Sequence, residues 1–231
     1  MTVLQSMRQK SLSPLMKRLD YQFSDQSLLE QALTHRSCKG KHNERLEFLG
    51  DALLGLVIAE ALFQQFPATR EGDLTRMRSA LVKGVTLAEI AQELSLAEYL
   101  RLGPGELKSG GARRESILAD ALEAILGAIY LDSGMAACKT RILQLFASRL
   151  SNIAPGEQKD SKTRLQEYLQ GLRQPLPVYD VIATVGEAHQ QTFTVRCTIP
   201  GLPPFTATGS SRRKAEQDAA NMALETIKHD R

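Results

Sequence analysis

The chain has 231 residues, enough for one large or two modest domains, and its 42% hydrophobic content suffices for a packed core. A net charge of +3 is compatible with a nucleic-acid partner but selects for none. Three cysteines, Cys38, Cys138 and Cys197, are odd in number, far apart and without a CxxC pair, which argues against a disulfide framework and a zinc site and fits reduced thiols.

The polar first ten residues lack an apolar signal core, and the longest apolar run, 52–59, is too short to span a bilayer. A soluble, cytoplasmic protein with no membrane attachment is expected. Two short amphipathic helices are predicted at 12–19 and 25–33, the second capped by Ser24. After Thr34-His35-Arg36-Ser37 and a polar loop, a long helix is expected from an Asn43 cap to about Phe66, where Pro67 ends it. Leu46, Leu49, Leu53, Leu56 and Val57 recur at helical spacing and mark a buried face. Glu44, Glu47 and Asp51 follow one another at intervals of three and four, so they form a single stripe. Like charges so placed cost a few tenths of a kcal/mol per pair, so something positive should face them. For a lone i, i+4 carboxylate pair a solvated acidic face is the preferred reading. His35 and His42 read as structural or solvent-facing, because no Glu-x-x-His pair accompanies them.

A further helix begins at Glu71-Gly72-Asp73 and carries Arg76 and Arg78; Thr86 to Glu89 and Ser95 to Glu98 have capping-box form and predict two more helix starts. Gly103-Pro104-Gly105 and Gly110-Gly111 punctuate a loop before the next helical run, 113–130, where Asp120 and Glu123 stand among apolar residues. Carboxylates are rarely buried unless paired or bound to metal, so two helices bearing them, packed together, make an all-oxygen cage. Such a cage favours a hard cation, above all magnesium, with manganese as substitute. Gly50, Gly55 and Gly127 each weaken a helix by about 1 kcal/mol relative to alanine, a cost usually justified by close backbone approach at the core or at a dimer seam. A last helix is expected at 135–150.

Residues 151–158, rich in turn formers and without periodicity, read as a linker. Beyond it the pattern is a helix at 162–172, strands at 177–185, 191–199 and 205–209, and a long amphipathic helix at 211–227. The order is α-β-β-β-α.

The run ERLEFLGDALL, 44–54, followed by the segment from Asp120 to Glu123, resembles the signature of the ribonuclease III family. The C-terminal order, with Thr163-Arg164-Leu165-Gln166-Glu167 on its first helix and Ser211-Arg212-Arg213-Lys214-Ala215 opening its last, resembles the double-stranded RNA-binding domain. Together the two likenesses cover nearly the whole chain and imply an all-helical nuclease domain, 1–150, joined to a small RNA-binding domain, 159–231. By this resemblance Glu47, Asp51, Asp120 and Glu123 hold Mg2+, with Asp51 and Glu123 the catalytic pair, while Glu44 and Glu71 support the active-site valley and dimer. Thr163, Gln166, Glu167, His189, Ser211, Arg212, Arg213 and Lys214 would meet the RNA. The deep major groove of the A-form is closed to side chains, so such a module contacts two minor grooves and the phosphates between them. Gln166 and Glu167 would reach ribose hydroxyls, His189 the second groove, and Arg212, Arg213 and Lys214, at a helix N-terminus, the phosphates. Glu187 and Glu216 depart from the pattern, standing where a proline and a basic residue are common, and each is expected to weaken binding modestly. The implied function is magnesium-dependent endonucleolytic hydrolysis of double-stranded RNA by a homodimer, each subunit cutting one strand. The expected products carry 5′-phosphate and 3′-hydroxyl ends with short 3′ overhangs. Ribosomal RNA precursors and other structured transcripts are the expected substrates, and no small-molecule cofactor is implied. A binding protein without catalysis is disfavoured by the intact carboxylates, and a small-substrate phosphohydrolase by the C-terminal module.

Overall fold

The computed structural model describes residues 11–156, 160–187 and 190–229, and the chain divides into two units, Met1–Gln158 and Lys159–Arg231, each with its own hydrophobic core.

The first unit is helical: α1 Ser13–Arg18, α2 Gln26–Ala32, α3 Glu44–Gln65, α4 Glu71–Val82, α5 Gly84–Glu93, α6 Pro104–Lys108, α7 Glu115–Leu145 and α8 Ala147–Asn152. Its centre is the pair α3 and α7, whose apolar faces bury Leu46, Leu54, Val57 and Ile58 against Leu122, Ile125, Leu126 and Ile129. Two glycines set how closely the helices approach. A Cβ on Gly50 would strike the carbonyl oxygen of Glu123, and one on Gly127 the carbonyl oxygen of Leu46. The close approach inferred from these two glycines therefore lies inside the chain. Gly55 differs, having nothing within 4 Å of a built Cβ. Gly50→Ala is expected to destabilise the unit by about 1–3 kcal/mol through overpacking. Gly55→Ala should be neutral or gain up to about 1 kcal/mol of helix propensity. Thermal melts of the two variants check the contrast, and equal melting temperatures would contradict it.

Several local expectations are corrected. Asp25, not Ser24, caps α2, its Oδ1 accepting from the Ser27 amide at 2.9 Å. Asn43 stands at the start of α3 but is buried and makes no side-chain cap; its backbone carbonyl accepts from Leu46 and Glu47 instead. Thr86 lies inside α5 and donates its hydroxyl to the Ala80 carbonyl at 2.9 Å, while Ser95 adopts a left-handed conformation and opens only a three-residue turn, Leu96–Glu98. For Thr86 a side-chain bond to a nearby backbone carbonyl replaces the cap. The glycine-rich stretch 103–111 contains α6, which Pro104 starts.

Gly134, with φ 76°, breaks α7 where a boundary between two helices was expected. By length and composition α7 is apolar enough to cross a membrane, yet half of its apolar window is buried within this unit. It is the core helix on which α2, α3 and α5 pack. The stretch assigned to a linker also starts too early: α8 runs to Asn152 and Ile153 is buried in the core. Ser151 bonds back to the Ala147 carbonyl, as a helical residue does.

In the second unit α9 Ser161–Gly171 and α10 Arg212–His229 cover an antiparallel meander of β1 Val178–Val185, β2 Thr192–Thr198 and β3 Phe205–Gly209. The register aligns Tyr179 with Cys197 and Cys197 with Phe205. That row packs with Leu165 and Leu169 of α9 and with Ala219, Ala223 and Leu224 of α10. The small residues of α10 let the helix lie close to the sheet.

Candidate active site and nucleic-acid interface

The acidic stripe of α3 meets the acidic pair of α7 where the two glycines bring the helices together. One oxygen each from Glu47, Asp120 and Glu123 lies within 4.8 Å of the others, and all three residues are half-buried. Asp51, one turn further along α3, is exposed and stands outside this trio, but of the neighbouring charges it acts most strongly on Glu123. Burial, then the charges of Asp51, Asp120 and Glu47, push the Glu123 carboxyl up to about 8. Burial also raises Glu47, with Asp120, Glu44 and Asp51 adding to it and Arg36 opposing. Asp120 is raised by burial against the lowering effect of His35 and Arg36. A cluster that resists ionisation this strongly is short of positive charge. The donor set suits a hard divalent cation: the oxygens are all from carboxylates, with neither histidine nor cysteine among the three.

A cleft of about 490 Å³ opens beside the cluster, lined by Glu44, Glu47 and Asp120 on one side and by His35, Arg36, Glu106 and Arg114 among others. The positive group expected to face the acidic stripe is Arg36, whose Nη1 lies 3.2 Å from Glu44 Oε1. His42 Nδ1 approaches the other oxygen of Glu44 at 3.6 Å. The Thr34–Ser37 segment is held by the neighbouring loop: His35 donates its amide to the Arg101 carbonyl at 2.9 Å and Ser37 Oγ accepts from the Gly103 amide at 2.8 Å. Arg114, just before α7, pairs with Glu106 at 3.0 Å. Arg36 and Arg114 also line the cleft; each precedes a carboxylate helix and reads in the sequence as an ordinary connector. His35, read as structural or solvent-facing, lines the cleft. Glu71 opens α4 and accepts from Thr75 Oγ1 at 2.6 Å. Arg76 and Arg78 follow on the same helix, Arg76 paired with Asp73 at 2.8 Å.

In the second unit the N-termini of α9 and α10 come together. Gln166 and Arg212 line one small cleft with Lys162, Tyr179 and Glu216. Gln166, Glu167, Ser211, Arg212, Arg213 and Lys214 are exposed and Thr163 is half-buried. Ser211 Oγ accepts from the Lys214 amide at 3.2 Å and so caps α10, while Lys214 Nζ pairs with Asp218 at 2.7 Å. Glu187 is within the described structure; His189 lies outside the described residues.

A helical unit with a carboxylate cluster fit for a hard cation, followed by an α-β-β-β-α unit with a basic helix start, defines a nuclease directed to double-stranded RNA. Comparison with known proteins agrees: residues 25–150 match the Ribonuclease-III-like family and residues 161–227 the double-stranded RNA binding motif. Ribonuclease 3 of Colwellia psychrerythraea is 61% identical over 96% of this chain and 84% of its own length. Ribonuclease 3 of Pseudoalteromonas translucida is 59% identical over 96% and 99%. Among solved structures, the nuclease domain of ribonuclease III from Campylobacter jejuni, described with flexibility in its dimer-forming region, is 46% identical. It covers 60% of this chain and 97% of its own, with a TM-score of 0.59. The chain belongs to the ribonuclease III family and is an endoribonuclease with a double-stranded RNA-binding module.

Proposed function

We propose that this enzyme hydrolyses both strands of duplex RNA as a homodimer, using Glu47, Asp51, Asp120 and Glu123 to hold Mg2+, with Mn2+ able to substitute. The observation that carries the reading is the convergence of the Glu47, Asp120 and Glu123 oxygens beside an open cleft. A divalent ion held by these carboxylates would supply an activated water and charge compensation at the leaving 3′ oxygen, chemistry that would give 5′-phosphate and 3′-hydroxyl ends. Glu123 must lose its proton to become a ligand, so it couples metal occupancy to pH. Asp51, exposed beside it, completes the acidic set. Glu44, tied to Arg36, and Glu71 brace the valley and the dimer, and Arg36 and Arg114 on the cleft wall are suited to phosphate. In the second unit Thr163, Gln166 and Glu167 meet one minor groove, and Ser211, Arg212, Arg213 and Lys214 the phosphates, with His189 assigned by family likeness to the second groove. The nuclease domain is taken to reach Ile153, past the expected end at 150, and the RNA-binding domain to span 159–231; the site of action is taken as the cytoplasm, and the substrates as ribosomal RNA precursors and other structured transcripts.

Dimerisation is supported by an apolar stripe on the solvent side of α3. Phe48 is 80% exposed and Phe63 71%, and Leu56, expected on the buried face, is 57% exposed; with Ala52 and Ala59 they fall on one helical face. Exposed large side chains in one row are unusual for a monomer. Leu56→Asp is expected to convert a dimer to a monomer by light scattering and to eliminate paired cuts with their short 3′ overhangs; an unchanged mass would place the seam elsewhere. The reaction itself is tested by incubating a long duplex RNA with the enzyme, with and without Mg2+. Short duplex products with 5′-phosphates should form only with the metal. Equal cleavage in a chelator would overturn the reading.

A further inference from the structure

Glu216 is an acidic residue at the helix start proposed to grip phosphate, where a basic residue is common in this module. Simple electrostatics makes it an obstacle to RNA. Its surroundings suggest otherwise. The residue is 8% exposed, and its two carboxylate oxygens are divided between two cations from different elements. Oε2 accepts from Lys162 Nζ of α9 at 2.6 Å, and Oε1 from Arg212 Nε of α10 at 2.9 Å. Lys162 Nζ also lies 4.5 Å from the centre of the Tyr179 ring on β1. The backbone reinforces the junction, since the Lys162 amide donates to Gln217 Oε1 at 3.1 Å. Although burial pulls the Glu216 carboxyl up, hydrogen bonds from Lys162 and Arg212 outweigh it and hold the group below its ordinary value, so it is ionised at neutral pH.

The bond to Arg212 uses Nε, the inner nitrogen of the guanidinium. The side chain remains 63% exposed, with its terminal nitrogens available to an anion. An arginine held through Nε has little rotamer freedom left to lose when it meets a phosphate, whereas an untethered one loses it on binding. We propose that Glu216 is a positioning residue for duplex RNA: it fixes Arg212 for phosphate and locks the N-terminus of α9, which carries Gln166, to that of α10. The inference rests on the reading that Arg212 contacts RNA. The two cations on Glu216 also offset its charge, so the phosphate meets a bridged group with net charge of +1.

The two accounts predict opposite signs. If Glu216 only repels phosphate, Glu216→Gln tightens duplex binding and steepens its salt dependence. If it positions Arg212, the same change weakens binding by about three- to tenfold, within the range of one ordinary intramolecular hydrogen bond. Glu216→Asp separates them further: its charge is kept, so repulsion predicts no change, but the shorter arm cannot reach both cations and positioning predicts weakening.

The experiment measures duplex RNA affinity of the full-length chain in Ca2+, which limits cleavage, for the wild type, Glu216→Gln, Glu216→Asp, Arg212→Ala and the Glu216→Gln/Arg212→Ala pair. A melting curve accompanies each. In Mg2+ the weakening should appear in KM with kcat unchanged, because the carboxylate cluster belongs to the other unit. The double variant should lose less affinity than the two single losses multiplied together, since part of the effect of Glu216 runs through Arg212 and only the lock on α9 remains to be lost without it. If Glu216→Gln unfolds the RNA-binding unit, Glu216→Asp carries the comparison. Wild-type affinity in Arg212→Ala would overturn the assignment of Arg212 as an RNA contact. Weakened Arg212→Ala together with tighter or unchanged binding in a folded Glu216 variant would overturn the positioning role alone.

Discussion

Glu123→Gln is expected to lower cleavage of duplex RNA by about 10³-fold or more while leaving affinity for the duplex intact, on the scale of removing a group that stabilises developing charge. The substitution keeps the shape of the side chain and removes its charge from the most strongly perturbed carboxyl of the cluster. It should not destabilise the metal-free protein. In the unfolded chain this carboxyl ionises near 4.5, whereas in the fold it ionises near 8, so between these values folding retains a proton. Its favourable contribution is complete below about pH 4.5 and is lost as the pH rises through about 8. Glu47 and Asp120 are shifted in the same direction. Metal-free wild-type protein should therefore lose stability from pH 5 to 8, and the Gln variant should lose less. Melting curves in a chelator across that range give the answer. A variant that melts much earlier at every pH would indicate a structural partner for Glu123 and remove the ligand assignment.

Removal of residues 159–231 is expected to weaken duplex binding by about 10²-fold or more at physiological salt while some cleavage persists at low salt. Neutralised phosphates set both the affinity and its salt dependence, and the cationic helix start at Arg212, Arg213 and Lys214 lies in the second unit. The first unit retains a complete core of its own and all four candidate ligands, so it should remain folded. Filter binding at two salt concentrations, followed by cleavage in dilute buffer, checks both halves of the expectation. Undiminished affinity in the shortened chain would reject this division of labour.

Much of this arrangement was legible in the sequence because periodicity and chemistry conflicted at a few positions. Asp120 and Glu123 interrupt an apolar helix, and that helix proves to be the core of its unit. The stripe of Glu44, Glu47 and Asp51 predicted a facing cation, and Arg36 fills that place. The break between the helical runs 113–130 and 135–150 and the order of the three strands were legible from periodicity and alternation, which depend on local chain geometry. What escaped was set by contacts that the local pattern does not reveal. Thr86 has the sequence of a cap, but the Ala80 carbonyl takes its hydroxyl. Ile153 looked like part of a linker, and only packing shows it to be core. Gly50 and Gly55 appeared equivalent, although one faces the Glu123 backbone and the other open space. The partners of Glu216 lie four residues ahead on its own helix and on the separate helix α9, so a family pattern alone cast it as a defect.

The central claim, that the carboxylate cluster is a metal site primed by a protonated Glu123, is tested most directly by proton release on metal binding. Mn2+ is titrated calorimetrically into the wild type at pH 7 in two buffers of different ionisation enthalpy. The difference in apparent heat should correspond to release of about one proton per cluster, and that release should vanish in Glu123→Gln. Metal binding that liberates no proton, or liberates the same amount in the variant, would contradict the claim.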